Sequence, residues 1–194
     1  MANADTPFGL RPIGRNGAPY NGPLHRVFIP STATTSAVFV GDVVKLVDSD
    51  ASVDGYPAVN RIAAATDVPY GVVVGFEASP TNLSLQYSPA GTANGRYAKV
   101  VLCDEAVFEV QGDDTMALAD VGGNVDLTLG AGSTATGLSG FEVDASNVTT
   151  TSGDMLQIQS FVDRPDNDPT LTHAKLIVKF NDAATKPDRT GLAT

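Results

Sequence analysis

Residues 155–162 read MLQIQSFV, residues 164–172 read RPDNDPTLT, and residues 173–181 read HAKLIVKFN. Two apolar runs flank a short polar loop. In Leu156-Gln157-Ile158-Gln159 apolar and polar residues alternate, the period of a strand with one face in a core and one in water. Pro165-Asp166-Asn167 supplies turn chemistry between the runs. The end of the chain therefore predicts two strands around a loop, and it carries no group that points to catalysis.

Working outward, the same pattern recurs. LHRVFIP, AVFVGDVVKLV, YGVVVGF, LSLQY, RYAKVVLC, AVFEV and NVDLTL are short β-branched runs separated by turn residues, among them Asp54-Gly55, Asn94-Gly95 and Gly122-Gly123. In Phe108-Glu109-Val110 the alternation predicts a water-facing glutamate. One helix is expected: Asp113 or Asp114 caps it, Met116–Ala119 continue it, the ADVGGN stretch (119–124) carries it on, and Gly122 or Gly123 ends it. The stretch 130–152, including TATGLSGFEVDAS (134–146), is rich in Gly, Ser and Thr. It reads as a surface loop with a short edge strand, or as a contact between copies. The predicted fold is mainly β: a β-sandwich or barrel of jelly-roll or Greek-key type, with an extended N-terminal arm and one short helix.

Residues 1–23 are the arm, and 24–194 form a single β-rich domain. Four prolines and four glycines in the arm exclude a helix or a central strand. Phe8, Leu10, Ile13 and Tyr20 are too apolar for a solvated linker. The arm is expected to take shape by lying on a surface: its own body, a sister copy or another protein. It is expected to be separable, so that deleting residues 2–22 leaves the body folded.

The chain has 194 residues and a formal charge of −10. Residues 1–30 carry a net +2, and no Lys or Arg falls between Lys99 and Arg164 while 11 acidic residues do. Such a body repels phosphate, which argues against nucleic acid as a partner. The acidity serves solubility, or it steers the protein toward a basic surface. MANADTPFGL has neither a basic nor an apolar signal region, and no apolar run approaches a membrane span. A soluble protein made in a cytoplasm, without a membrane partner, is expected.

The chemistry-bearing residues are few. Cys103 is the sole cysteine, so no internal bridge forms, and it reads as a thiol packed in or beside a strand. The two histidines, His25 and His173, are not accompanied by a nucleophile elbow; Thr136–Gly140 (TGLSG) lacks the strand-to-helix context. Asp50, Ser52, Asp54 and Gly55 match the opening of a calcium loop, but Arg61 stands where its bidentate acid belongs, which leaves an acidic hairpin tip. Asp166 and Asp168 form a second acidic turn. Sugar stacking would use the five tyrosines, since the chain has no tryptophan. No enzyme activity, no metal and no cofactor are expected.

Phe8-Gly9-Leu10-Arg11-Pro12-Ile13, then Phe39–Leu46 (FVGDVVKL), Tyr70–Phe76 (YGVVVGF), Val107–Gln111 (VFEVQ) and the elements from Ala119 to Asn181 occur in an order that resembles the head-decoration, or cement, proteins of tailed bacteriophages. The resemblance implies a structural virion protein on the outer capsid surface. It implies binding to the major capsid protein, self-association as a homodimer or homotrimer, and no catalytic residues. An arm contact built on Phe8, Leu10, Arg11, Pro12, Ile13, Arg15 and Tyr20 fits that role: the apolar side chains bury area, and the arginines pair with capsid carboxylates. Two other readings stand beside it: a surface glycan-binding β-module, and a structural component of the tail or of head completion.

Overall fold

The computed structural model describes residues 2–15, 18–31, 36–48, 54–79, 81–91 and 95–186. Within them the chain forms β1 (Arg11–Arg15), β2 (Ala18–Pro19), β3 (His25–Ile29), β4 (Val43–Leu46), β5 (Val59–Arg61), β6 (Gly71–Phe76), β7 (Arg96–Leu102) and β8 (Val107–Gln111). A short 3-10 turn (Leu118–Asp120) follows. The remaining strands are β9 (Asn124–Val125), β10 (Leu127–Gly130), β11 (Gly140–Val143), β12 (Leu156–Phe161) and β13 (Lys175–Phe180). The protein is mainly β, with antiparallel sheets layered as in a sandwich; among the described residues no sheet closes into a barrel.

One sheet runs β2-β1-β8-β13-β12-β9, a second runs β3-β7-β6-β4-β5, and β10-β11 is a separate hairpin. The C-terminal pair behaves as its alternation predicts. Leu156 and Ile158 are buried, Gln157 and Gln159 are not, and the strands pair from Leu156↔Phe180 to Phe161↔Leu176. A register shift between Ile158 and Ser160 adds one residue to β12, which turns the strand end and leaves Phe161 half-buried. Asn167 closes the loop between them. Its amide donates to the carbonyls of Val162 (2.8 Å) and Lys175 (3.0 Å), and its oxygen accepts from the Lys175 amide (2.7 Å).

Two apolar clusters share the work of burial. The larger lies between the sheets and gathers Phe108, Val110, Phe141, Leu156, Ile158, Leu176 and Val178 with Val43, Val72 and Val101 from the second sheet. The smaller collects Val27, Ile29, Val44, Val59, Val73, Ala98 and Val100 on the other side of the same second sheet. Adjacent residues such as Val43 and Val44, or Val72 and Val73, thus enter different clusters, as period-two geometry requires. The second sheet curls until its edges touch at one bridge, Phe28 with Ala58, where the Phe28 amide donates to the Pro57 carbonyl (2.9 Å).

Several expectations need correction. Asp113 and Asp114 cap no helix. The Asp113 carboxylate accepts from the Thr128 hydroxyl (2.7 Å) and the Ala145 amide (2.9 Å), and the 3-10 turn is held by Asp120, which accepts from the Ala117 amide (2.7 Å). Residues 83–87 (LSLQY) form no strand. The buried guanidinium of Arg96 takes the carbonyls of Leu85 and Tyr87, together with that of Glu77, so hydrogen bonding that a ladder would supply goes to one side chain. Glu109 does not face water. It is 3% exposed and accepts two hydrogen bonds from Arg164, at 2.5 and 3.2 Å, because the 163–172 loop folds over the outer face of β8.

Three segments meet at one joint. Gly9 and Gly41 both have positive φ (+70° and +92°). A Cβ on Gly41 would lie 2.4 Å from the Phe8 carbonyl oxygen, and one on Gly9 would lie 2.5 Å from both the Gly41 oxygen and Ser139 Cβ. Only glycine permits that crossing. Beside it, Asp42 is fully buried. Its carboxylate accepts from the Phe39 amide (2.8 Å) and the Ser139 hydroxyl (2.6 Å), and it faces Arg61 Nε at 3.2 Å. Burial pushes the Asp42 carboxyl above its ordinary value, against Arg61 and the two donors. Backbone bonds from Leu10 N to Gly41 O (2.9 Å) and from Ser139 N to Val40 O (2.8 Å) complete the joint.

Gly41→Ala should therefore lose about 2–5 kcal/mol, the sum of a left-handed penalty and overpacking. Gly122→Ala, at a φ of +90° with nothing within 4 Å of the added carbon, should lose only the first part, about 1–2 kcal/mol. Urea unfolding of the two variants checks this; equal losses would show that the crossing is not tight.

Candidate functional site

The arm is stitched to the body along its length. Asn3 donates to the carbonyls of Asp168 (2.8 Å) and Thr172 (2.9 Å) and accepts from the Asp168 amide (2.8 Å). The Thr6 amide reaches the buried Gln111 oxygen at 3.4 Å. After the Gly9–Gly41 crossing, β1 pairs with β8 in the register Arg11↔Glu109, Pro12↔Phe108, Gly14↔Val107. A proline strand is tolerated here because β1 is flanked on its other side only by the two-residue β2. The later part of the arm is thus part of the first sheet.

The seven arm residues divide among three surroundings. Leu10 is 1% exposed and belongs to the large core. Tyr20 also packs on that core, and its hydroxyl donates to the Pro23 carbonyl (2.7 Å). Burial, and then the Glu105 carboxylate, raise the Tyr20 phenol, while Arg15 acts in the opposite sense. Phe8, Arg11 and Pro12 line a small open cleft with Val40, Val74 and Leu138. The Arg11 guanidinium stacks over the Phe8 ring, 4.6 Å from its centre. Ile13 and Arg15 are half-buried further along β1. Among the described residues, neither Arg11 nor Arg15 makes an ion pair.

The other residues singled out in the sequence are accounted for individually. Ser139, in TGLSG, is buried and donates to Asp42. Cys103 is buried directly after β7, where burial and the neighbouring Asp104 push its thiol well above the ordinary value. His25 Nε2 lies 3.2 Å from Glu105. Asp166 pairs with Lys175 (2.7 Å) and Arg164 (3.3 Å), and Asp168 accepts from the Thr170 hydroxyl (2.7 Å). Of the calcium-loop motif, Asp50 and Ser52 lie outside the described residues, as does Asn94 of the Asn94-Gly95 turn.

Two groupings were not legible beforehand. The first lies at the β3–β7 edge, where Arg26 is held between Tyr97 (3.7 Å to the ring centre) and Tyr56 (4.6 Å) and forks onto Glu77 at 2.7 and 2.8 Å. Residues 26, 56, 77 and 97 are far apart in sequence, and only the sheet order joins them. Tyr97 donates to Asp54. Tyr87 stacks on Phe39, 5.0 Å between centres, and Tyr70 packs on the smaller core, so each tyrosine is engaged within the chain. The second grouping brings Asp5, Glu142 and His173 together at the start of the arm. Burial, then the Asp5 and Asp113 carboxylates, push Glu142 up to about 7, against the opposing pull of His173 and the Gln111 amide.

No family model matches the chain, and no curated protein or solved structure matches it. Among the described residues, no helix is long and apolar enough to cross a membrane.

Removing residues 2–15 should abolish cooperative unfolding, because it takes Leu10 from the core and β1 from β8. The double variant Arg11→Glu, Arg15→Glu should unfold within about 1 kcal/mol of the parent, as surface substitutions do. Near-ultraviolet dichroism with urea titration distinguishes the two. A truncated chain that folds cooperatively would restore a separable arm.

Glu77 gives a pH dependence. The Arg26 hydrogen bonds hold its carboxyl below the ordinary value, despite some burial. A depressed carboxyl contributes stability above its unfolded pKa of about 4.3 and loses it as pH falls through the folded value. Glu77→Gln should flatten the acid limb of the stability curve by less than about 1 kcal/mol, since the pair is partly exposed. Melting temperatures between pH 7 and pH 3 test it; an unchanged slope would remove Glu77 from the effect.

Proposed function

We propose that this protein is a structural virion protein that decorates the outer surface of a phage capsid and stabilises it by bridging subunits of the major capsid protein. The order of motifs that resembles phage cement proteins supports this reading. In the structure, the observation that carries it is the cationic character of β1. Arg11 lines an apolar cleft and Arg15 lies further along the strand, past the register shift; neither has an ion-pair partner among the described residues, on a chain of net charge −10. Cationic side chains with unused donors next to apolar area suit a protein surface bearing carboxylates. Leu10 and Tyr20 set the backbone of that surface from behind; Phe8, Arg11, Pro12, Ile13 and Arg15 are left to make contact.

The stitching of the arm also bears on energetics. A contact strip already fixed on a sheet loses little conformational entropy on docking, so a modest interface suffices. Many copies on one shell, self-associated as dimers or trimers, each touching several subunits, turn modest contacts into durable attachment. The glycan-binding alternative draws less support, because the tyrosine rings a sugar would stack on are occupied within the chain.

The test is co-sedimentation with purified heads of the tailed phage whose genome carries this sequence. The parent protein should pellet with heads, and Arg11→Glu, Arg15→Glu should weaken that binding on the order of tenfold or more while the fold survives. Failure of the parent protein to bind the heads would overturn the reading. Binding undiminished in the double variant would move the contact elsewhere on the body. Copy number per particle separates decoration from a place in the tail or head completion.

A further inference from the structure

Asp5, Glu142 and His173 come from three distant parts of the chain: the start of the arm, β11, and the residue before the run into β13. One carboxylate oxygen from each acid and one imidazole nitrogen all lie within 4.8 Å of one another. Asp5 Oδ1 is 3.9 Å from His173 Nδ1. In a tetrahedral zinc site with bonds of about 2.0–2.1 Å, ligand atoms stand roughly 3.4 Å apart, so small side-chain rotations would close the set.

Two further observations separate this grouping from an ordinary acidic patch. His173 Nδ1 is buried and has no hydrogen-bond partner. Buried polar atoms are rarely left so, and this one lies 3.9 Å from Asp5 Oδ1. Gln111, fully buried, then holds the frame from behind. Its amide donates to Glu142 Oε1 (3.2 Å) and its oxygen accepts from the amide of Thr6, the residue after Asp5. That is the supporting hydrogen bond that metal-ligating carboxylates commonly have. The remaining acidic groupings lack this character: Asp113 and Asp166 are satisfied by donors or by Lys and Arg.

We propose that Asp5, Glu142 and His173 form a binding site for a divalent ion of the zinc class, which clips the start of the arm to the two sheet elements beneath it. One imidazole and two carboxylates suit zinc; an imidazole ligand disfavours calcium and magnesium, which take oxygen. The proposal departs from the expectation of a metal-free chain, and it does not depend on the capsid reading.

Zinc is titrated calorimetrically into the full chain, carried without a polyhistidine tag and first stripped with EDTA, alongside Asp5→Asn and His173→Gln. One saturable site per chain is expected, with a rise in melting temperature. Each substitution should weaken binding by more than the ~10–100-fold that loss of an outer-shell partner costs. Asp5 is mostly exposed, so its variant keeps the fold and the comparison stays valid if His173→Gln is destabilised. Absence of saturable zinc binding by the parent, or an affinity that survives the loss of Asp5, would overturn the site.

Discussion

A single buried carboxylate organises the centre of this molecule. Asp42 has no exposure to water, and an unpaired charge there would be costly. It is tolerated because the Phe39 amide, the Ser139 hydroxyl and Arg61 converge on it. Phe39 lies in the same turn, Arg61 on the strand paired with β4, and Ser139 beside Val40, so the carboxylate locks together segments that backbone pairing has already brought side by side. Arg61 also lies over the Phe141 ring, 4.3 Å from its centre, and donates to the Gly130 carbonyl, so the same cation fastens the β10-β11 hairpin to the second sheet. Removing one partner from such a set leaves the others uncompensated, which makes it more demanding of geometry than an apolar contact of equal area. The adjoining Gly9–Gly41 crossing then sets where the arm enters the core.

Polar groups elsewhere act in the same way, substituting for backbone pairing where the sheets end. Asn167 supplies the bonds that the loop between β12 and β13 would otherwise lack. Arg96 gathers two carbonyls from the 83–87 segment, which joins no sheet, and a third from Glu77 at the end of β6. Arg164 covers Glu109 on the outer face of β8. The acidic stretch between Lys99 and Arg164 is therefore not uniformly a solvated face: Glu109 is paired in the interior, and Asp113 serves as a loop clasp.

Much of the strand content was legible because β3, β6, β7, β8, β12 and β13 are rich in β-branched residues or keep clear alternation. Those signals are local. What escaped the sequence was decided by partners remote in the chain. β1 was hidden by Pro12 and Gly14, and it exists because β8 offers it an edge. β11 was legible only as a short edge strand somewhere in a Gly- and Ser-rich stretch, and its place is set by β10, which pairs with it. LSLQY had strand composition and lost its ladder to Arg96. The apolar character of the arm was legible, but no local pattern could reveal that Leu10 turns inward while Arg11 turns outward. The Asp5–Glu142–His173 grouping left no spacing signature at all, since its members are separated by more than a hundred residues at one step.

The stitching of the arm has a consequence for how the chain reaches its folded state. Asn3 bonds to residues 168 and 172, and β1 pairs with residues 107–109. β1 therefore finds its β8 partner only after about a hundred further residues have been made, on the order of ten seconds later at about 5–20 residues per second. Until then Phe8, Leu10 and Ile13 are without their native cover. Such long-range closure is slow. The high density of proline and glycine in that stretch suits the interval, since it discourages premature β-pairing with other nascent chains while the acceptor sheet is still being synthesised.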